Sequence, residues 1–241
     1  MRPNATIYKS GKSPKSGEFV LELSKVLKSI YLFLRLTGIV FVLTSLVFIV
    51  ITFGPLLITE AKYYMLNLES KPKIDYSKHV VDTNYTLAIQ GEAKSFGVDS
   101  YFAIVIPKIG AASNIIPNVD PSLKSEYLDA LSKGVAHAKG TSFPGFGSRV
   151  FLFSHSTDTP LNFAKYNAVF YLLKKLEPKD QIIIYYADKR YLYEVIEQKT
   201  TKEEDTSWIE PNEGKNELVL MTCDPPGTTW NRLLVIARPL N

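Results

Sequence analysis

The chain has 241 residues with 28 Lys and Arg against 24 Asp and Glu, and its formal charge of +4 is unevenly spread. Residues 1–35 carry seven basic and two acidic side chains, whereas the rest of the chain carries 21 basic and 22 acidic ones. Nucleic-acid binding requires clustered positive charge, so this distribution argues against nucleic acid as the main partner. We interpret residues 1–29 as a basic tail.

A long apolar segment follows the tail. Leu36–Thr59 contains 24 residues without a charge, and about 20 such residues cross a bilayer as a helix. We predict a transmembrane signal anchor over residues 30–59. A cleaved signal peptide has a shorter apolar region and a small-residue cleavage site, and a buried core helix is the other alternative. The positive-inside bias predicts a single-pass protein of the cell membrane with a cytoplasmic N-terminus and an extracytoplasmic C-terminal domain.

Residues 60–100 are mixed and polar, and we interpret them as a stalk in which Glu60–Leu68 extends the helix. Short apolar runs begin at residue 101 and predict strands at Tyr101–Ile106, Val150–Phe153, Gln181–Ala187, Tyr191–Gln198, Leu218–Thr222 and Leu233–Ala237. Helical spacing predicts helices at Leu123–Leu131 and Phe163–Leu176. This pattern indicates a mostly-β barrel or sandwich over residues 101–241.

Cofactor motifs are missing from the sequence. It contains no P-loop, no dinucleotide-binding glycine pattern and no paired metal-ligand spacing, so we predict no cofactor and no metal site. The acidic run Glu203-Glu204-Asp205 is interpreted as a solvated loop, and the sequence leaves dependence on Ca²⁺ open.

The one cysteine, Cys223, stands at the end of an apolar run and is followed by a Pro-Pro-Gly turn. A lone cysteine cannot form an intramolecular disulfide, and by itself it is typical of a small buried thiol. The chain then returns through Arg232 into the next apolar run. An antiparallel return would bring Arg232 close to Cys223, while Asp224 is interpreted as a local hydrogen-bonding residue of the turn.

A second titratable residue, His155, also follows an apolar run. Taken alone it is more typical of a structural histidine. Together, the residues fit nucleophilic catalysis, because an imidazole can take the thiol proton and later return it to a leaving amine. An arginine can stabilise the oxyanion of a tetrahedral intermediate. We therefore predict Cys223 as nucleophile, His155 as acid and base, and Arg232 as oxyanion stabiliser.

These segments resemble the sortase family over roughly Tyr101–Pro239. The resemblance is carried by Val219–Cys223, by Arg232 nine positions later, by Phe153-Ser154-His155-Ser156, and by Gly134–Thr141 with Phe143-Pro144-Gly145. Sortases usually carry glycine where this chain has Ser154. The compact Pro225-Pro226-Gly227 loop is more similar to the smaller divergent classes than to the best-studied housekeeping class.

The resemblance implies a closed eight-stranded β-barrel with short helices and the activity of a cysteine transpeptidase. Such an enzyme cleaves a sorting signal such as Leu-Pro-x-Thr-Gly in secreted proteins, forms a thioacyl intermediate, and transfers the acyl group to an amine of a cell-wall precursor or a pilin lysine. The resemblance also implies Thr222 as a substrate-binding residue. His137 is not carried over as catalytic, and we interpret it as a loop or core residue.

Two other functions are compatible with the sequence. The domain could be a catalytically inactive, membrane-tethered scaffold or adhesion module, a hypothesis motivated by Ser154 beside the histidine. Alternatively, it could be a hydrolytic cysteine protease of another fold, although no papain-like cysteine stands near the start of the domain.

Overall fold

The long apolar segment forms one helix, α1 (Lys25–Leu68), in the computed structural model, which describes residues 25–68, 83–156, 169–210 and 214–240. The chain divides after Ile51 into two units. The stretch Ser29–Met65 is long and apolar enough to cross a membrane, judged by its length and composition. The helix therefore extends to Leu68, as the sequence predicts, while the basic tail lies almost entirely outside the described residues.

Eight strands form a closed barrel in the order β1-β2-β3-β4-β7-β8-β6-β5. Their bounds are β1 Phe102–Ile106, β2 Ala111–Val119, β3 Val135–Ala138, β4 Val150–Phe153, β5 Gln181–Tyr186, β6 Lys189–Lys202, β7 Leu218–Asp224 and β8 Asn231–Pro239. The closed barrel confirms the predicted mostly-β fold and resolves the choice between barrel and sandwich. All six predicted strands are present, whereas β2 and β3 were not predicted as strands.

Alternating side chains divide each strand between the barrel interior and its outer face. Leu152 and Leu220 belong to the large interior cluster. Phe153 and Val219 belong to a second cluster outside the barrel wall. This outer cluster includes Leu131 of helix α3 (Lys124–Lys133), whose apolar spacing the sequence correctly predicts. Helix α3 therefore covers part of the outer face, and this is the face on which the candidate site lies.

The hairpin between β5 and β6 turns at Ala187 and Asp188, one residue earlier than predicted. Both have positive φ, 49° and 59°, a conformation that matches the twist of the flanking strands in two-residue hairpins. Asp188 tolerates this conformation because its carboxylate accepts hydrogen bonds from Ser100 and Gln90. These bonds offset the steric cost that a non-glycine residue has there.

The predicted helix Phe163–Leu176 is wrong in its described part. Residues 169–172 form turns, and only the short 3₁₀ segment Leu173–Lys175 is helical, while residues 163–168 lie outside the described residues. Gln198 on β6 donates to the backbone carbonyls of Lys174 and Leu176. These tertiary bonds and the burial of four apolar side chains override the local helical spacing; the four are Phe170, Leu172, Leu173 and Leu176.

A helix within the predicted stalk, α2 (Thr83–Ser95), packs on the barrel wall. Ile89 and Ala93 join Tyr185 of β5 in an outer apolar cluster. Glu92 accepts hydrogen bonds from the Tyr185 hydroxyl and from Arg190, both at 2.9 Å. The sequence did not predict this helix, because its apolar residues are few and its partners lie about a hundred residues away.

Candidate active site

The parallel pairing of β4 with β7 brings the histidine segment beside the cysteine segment. Phe153 pairs with Met221, and the N–H of the next residue, Ser154, donates to the Met221 carbonyl at 3.2 Å. The buried Thr222 hydroxyl donates back to the Ser154 carbonyl at 2.9 Å. Two hydrogen bonds therefore fix the backbone directly before His155 to the backbone directly before Cys223.

The tight return from β7 to β8 brings Arg232 beside Cys223. In this antiparallel pair Cys223 stands directly opposite Arg232, as the sequence predicts. Directly opposed residues of an antiparallel pair project from the same face, here the outer face that also carries Met221 and Leu234. Both side chains therefore face the same side of the barrel wall.

An open cleft of about 630 Å³ lies over this face. Its lining includes His155, Thr222, Cys223 and Arg232, so the structure brings all four predicted site residues together. One wall is the apolar stripe of α3, and the other is the loop that follows β6. The wall residues include Tyr127, Leu128, Leu131, Glu203, Asp205, Thr206 and Ile209.

The Arg232 guanidinium is held by the protein. Its Nη2 lies 2.7 Å from Glu203 Oε1, and its Nη1 donates to the carbonyls of Thr229 and Asn231 at 3.2 and 3.3 Å. Glu203 lies in an exposed turn, as the interpretation of a solvated loop has it, and its carboxylate in addition pairs with Arg232. Its carboxylate points to Arg232, the candidate oxyanion stabiliser, because residue 203 directly follows the end of β6, the strand that pairs with β8.

The loop after β6 is fixed by two further residues. Asp205 accepts hydrogen bonds from Thr201 Oγ1 and Ser207 Oγ, each at 2.6 Å, and these bonds lower its pKa to about 2. The buried Arg149 pairs with Glu217 at 2.6 Å and donates to the carbonyl of Trp208 at 3.0 Å. The wall of the cleft is thus tied both to β6 and to the segment before β4.

Asp224 does not act as the local turn residue that the sequence suggested. Its largely buried carboxylate pairs with Lys174 at 3.2 Å, a residue of the 3₁₀ segment 50 positions earlier. A buried carboxylate requires a partner to offset its lost hydration, and the cation that pairs with Asp224 is remote in sequence. The negative charge adjoining Cys223 is consequently compensated.

Ser154 adopts an ordinary backbone conformation. The non-glycine residues with positive φ in the described parts of the chain are Asn118, Lys179, Ala187 and Asp188. A glycine at position 154 is therefore not required by the backbone geometry, and the main chain of Ser154 is fully engaged with β7.

His137 is a core residue, one of the two alternatives left by its sequence context. It is fully buried on β3 and stacks on Phe143 with ring centroids 4.5 Å apart. Its Nδ1 accepts from the N–H of Asn118 at 3.3 Å, and its Nε2 lies 3.0 Å from the Ser142 carbonyl. Burial lowers the pKa of His137, so the imidazole is held neutral and does not contribute to the cleft.

Comparison with known proteins gives the family. The family model of the sortase domain matches residues 104–240, more than half of the chain. The chain belongs to the sortase family. This sortase is similar to Sortase D of Bacillus subtilis (strain 168): the two are 31% identical over 124 residues, which span 49% of this chain and 58% of the relative.

Two solved structures share the fold. The crystal structure of sortase C-1 from Actinomyces oris (formerly Actinomyces naeslundii) is 28% identical, with a TM-score of 0.50 over 76% of this chain and 94% of that one. The Group B Streptococcus Pilus Island 1 Sortase C2 is 21% identical, with a TM-score of 0.50 over 67% of this chain and all of that one. The second similarity concerns the fold only.

No group of three or more His, Cys, Asp or Glu side chains within residues 25–68, 83–156, 169–210 and 214–240 is arranged to hold a metal ion. The predicted absence of a cofactor stays a prediction, as does the question of Ca²⁺. The roles of the four cleft residues likewise stay predictions. Their positions along one cleft are compatible with those roles.

Proposed function

We propose that this sortase is a membrane-anchored transpeptidase that cleaves a C-terminal sorting signal similar to Leu-Pro-x-Thr-Gly and transfers the protein to an amine. The observation that carries the proposal is the juxtaposition in one cleft of Cys223 and its register partner Arg232, with His155 joined to the same strand end. Acyl transfer through a thioester uses a thiol nucleophile, a base such as an imidazole, and a donor to the oxyanion, a role that a guanidinium can fill.

In the first step, His155 takes the proton of the Cys223 thiol, and the sulfur attacks the scissile carbonyl carbon. The carbonyl oxygen becomes an oxyanion, which Arg232 stabilises with its permanent charge. The C–N bond then breaks, and the imidazolium gives its proton to the departing amine. The acyl group remains on Sγ as a thioester.

In the second step, an acceptor amine attacks the thioester carbonyl. His155 removes the amine proton, the C–S bond breaks, and the thiolate recovers its proton, which regenerates the starting enzyme with one new amide bond. The acceptor is an amine of a cell-wall precursor or a pilin lysine. Thr222, which is among the residues that line the cleft, contributes to substrate binding.

The apolar stretch Ser29–Met65 of α1 supports a membrane anchor, and the basic residues before it support a cytoplasmic N-terminus. The domain would then work outside the membrane, where secreted proteins that carry sorting signals pass. An anchor restricts the enzyme to the surface at which cell-wall precursors and pilins are available.

The test is mass spectrometry of the full-length protein in detergent after incubation with a library of sorting peptides. We expect a thioacyl adduct on Cys223 that disappears when an amine such as triglycine is added, with the amide appearing in its place. Cys223→Ala should form no adduct while its thermal midpoint is unchanged. Release to water despite added amine would favour a hydrolase, and no adduct with any peptide would favour a scaffold.

A further inference from the structure

Glu203 is positioned by the barrel itself. On the β6–β8 ladder, Thr201 stands opposite Arg232, so Arg232 lies between Thr201 on one side and Cys223 on the other. Glu203 begins the turn just past the end of β6. The carboxylate of Asp205 holds that turn through the Thr201 hydroxyl, which places the Glu203 side chain above the guanidinium.

The guanidinium has five N–H groups, and the contacts within the described residues use three of them. Nη1 donates to two backbone carbonyls, and Nη2 donates to Glu203. Nε–H and the second Nη2–H are left for an oxyanion that develops on a substrate. The Arg232 side chain is 16% exposed and that of Glu203 is 49% exposed, so the pair lies at the rim of the cleft.

An arginine side chain loses considerable rotamer freedom when it is fixed. The two backbone contacts reach only one end of the guanidinium plane, and rotation about its long stem would still move the outer nitrogen. The contact from Glu203 restrains that nitrogen. A donor that is aligned before the reaction needs no reorganisation in the transition state.

We infer that Glu203 is a positioning residue, which orients Arg232 for the oxyanion and does not itself contact the reacting atoms. The inference rests on the proposed function. It predicts that Glu203 affects the acylation rate constant and leaves the reactivity of the thiol unchanged, because its contact is with the guanidinium.

The experiment compares full-length Glu203→Ala and Glu203→Gln with a matched control, Glu204→Gln, which removes the neighbouring exposed carboxylate. The measurement is the rate of thioacyl formation at saturating sorting peptide. We expect a loss of roughly tenfold for the alanine variant and a smaller loss for glutamine, which keeps an acceptor oxygen. The rate of Cys223 alkylation by iodoacetamide and the thermal midpoint should stay at wild-type values in all three.

A second arm repeats Glu203→Ala in an Arg232→Ala background. A positioning residue should then cause almost no further loss, since the two changes act through one group. Three outcomes would overturn the inference while wild-type acylation is still observed. The first is an additive loss in the Arg232→Ala background. The others are an acylation rate in Glu203→Ala that equals the rate in Glu204→Gln, or one that is faster than wild type because a restraining contact has been released. Absence of wild-type acylation would overturn the proposed function and the inference together.

Discussion

The hydrogen bond from Thr222 to Ser154 should control both stability and the geometry of the cleft. Thr222 and Ser154 are 4% and 5% exposed, so Thr222→Val leaves the Ser154 carbonyl without its donor in a place that water reaches poorly. An unmade buried hydrogen bond costs about 1–2 kcal/mol. For a domain of this size that corresponds to a fall in thermal midpoint of about 2–8 °C.

The assay is thermal unfolding of the full-length protein in detergent, followed by thioacyl formation at a temperature where the variant is folded. The matched control is Thr228→Val, because the Thr228 hydroxyl donates at 2.8 Å to Pro225 within an exposed turn and should contribute about 0.5 kcal/mol or less. A loosened His155 segment should slow acylation by up to about a hundredfold. Equal midpoints for the two variants would refute the assignment of this bond as the link between the strand ends.

Arg232→Lys should slow acylation roughly a hundred- to thousand-fold, about 2.7–4 kcal/mol, because lysine keeps the charge but not the planar fork; a near-normal rate would remove Arg232 from the site. Protease added to intact cells should digest the C-terminal domain, and its protection would reverse the predicted topology. The free energy of unfolding should decrease as the pH falls below about 6.5, since the unfolded chain takes up a proton at His137 that the folded chain resists. The decrease should be smaller in His137→Gln, and an identical pH profile would argue against this source.

Local sequence was sufficient to predict that Cys223 and Arg232 lie close together. The Pro-Pro-Gly turn leaves so short a connection that β7 and β8 must pair directly, and the opposition of Cys223 and Arg232 follows from that geometry. The parallel pairing that brings in His155 could not be derived in this way. It joins strands far apart in the chain; the sequence analysis grouped His155 with Cys223 on chemical grounds and by resemblance, without a predicted strand pairing.

Charged partners from distant elements were not predictable either. Glu203 stands in an acidic run whose composition is typical of a solvated loop, and only the β6–β8 ladder places it over Arg232. The same holds for Lys174, which pairs with Asp224 across the fold. A sequence displays charges but not the folded distances between them, so the groups that tune a site are harder to find than those that perform its chemistry.

The parallel pairing of β4 with β7 also determines when the site comes into existence. Val150 pairs with Leu218, and closing so long an intervening segment costs conformational entropy. Until that closure, the thiol and the imidazole belong to separate regions of a disordered chain, and the cysteine has only the modest reactivity of an ordinary peptide thiol. Under the proposed mechanism, activation of the nucleophile is therefore coupled to the pairing of β4 with β7.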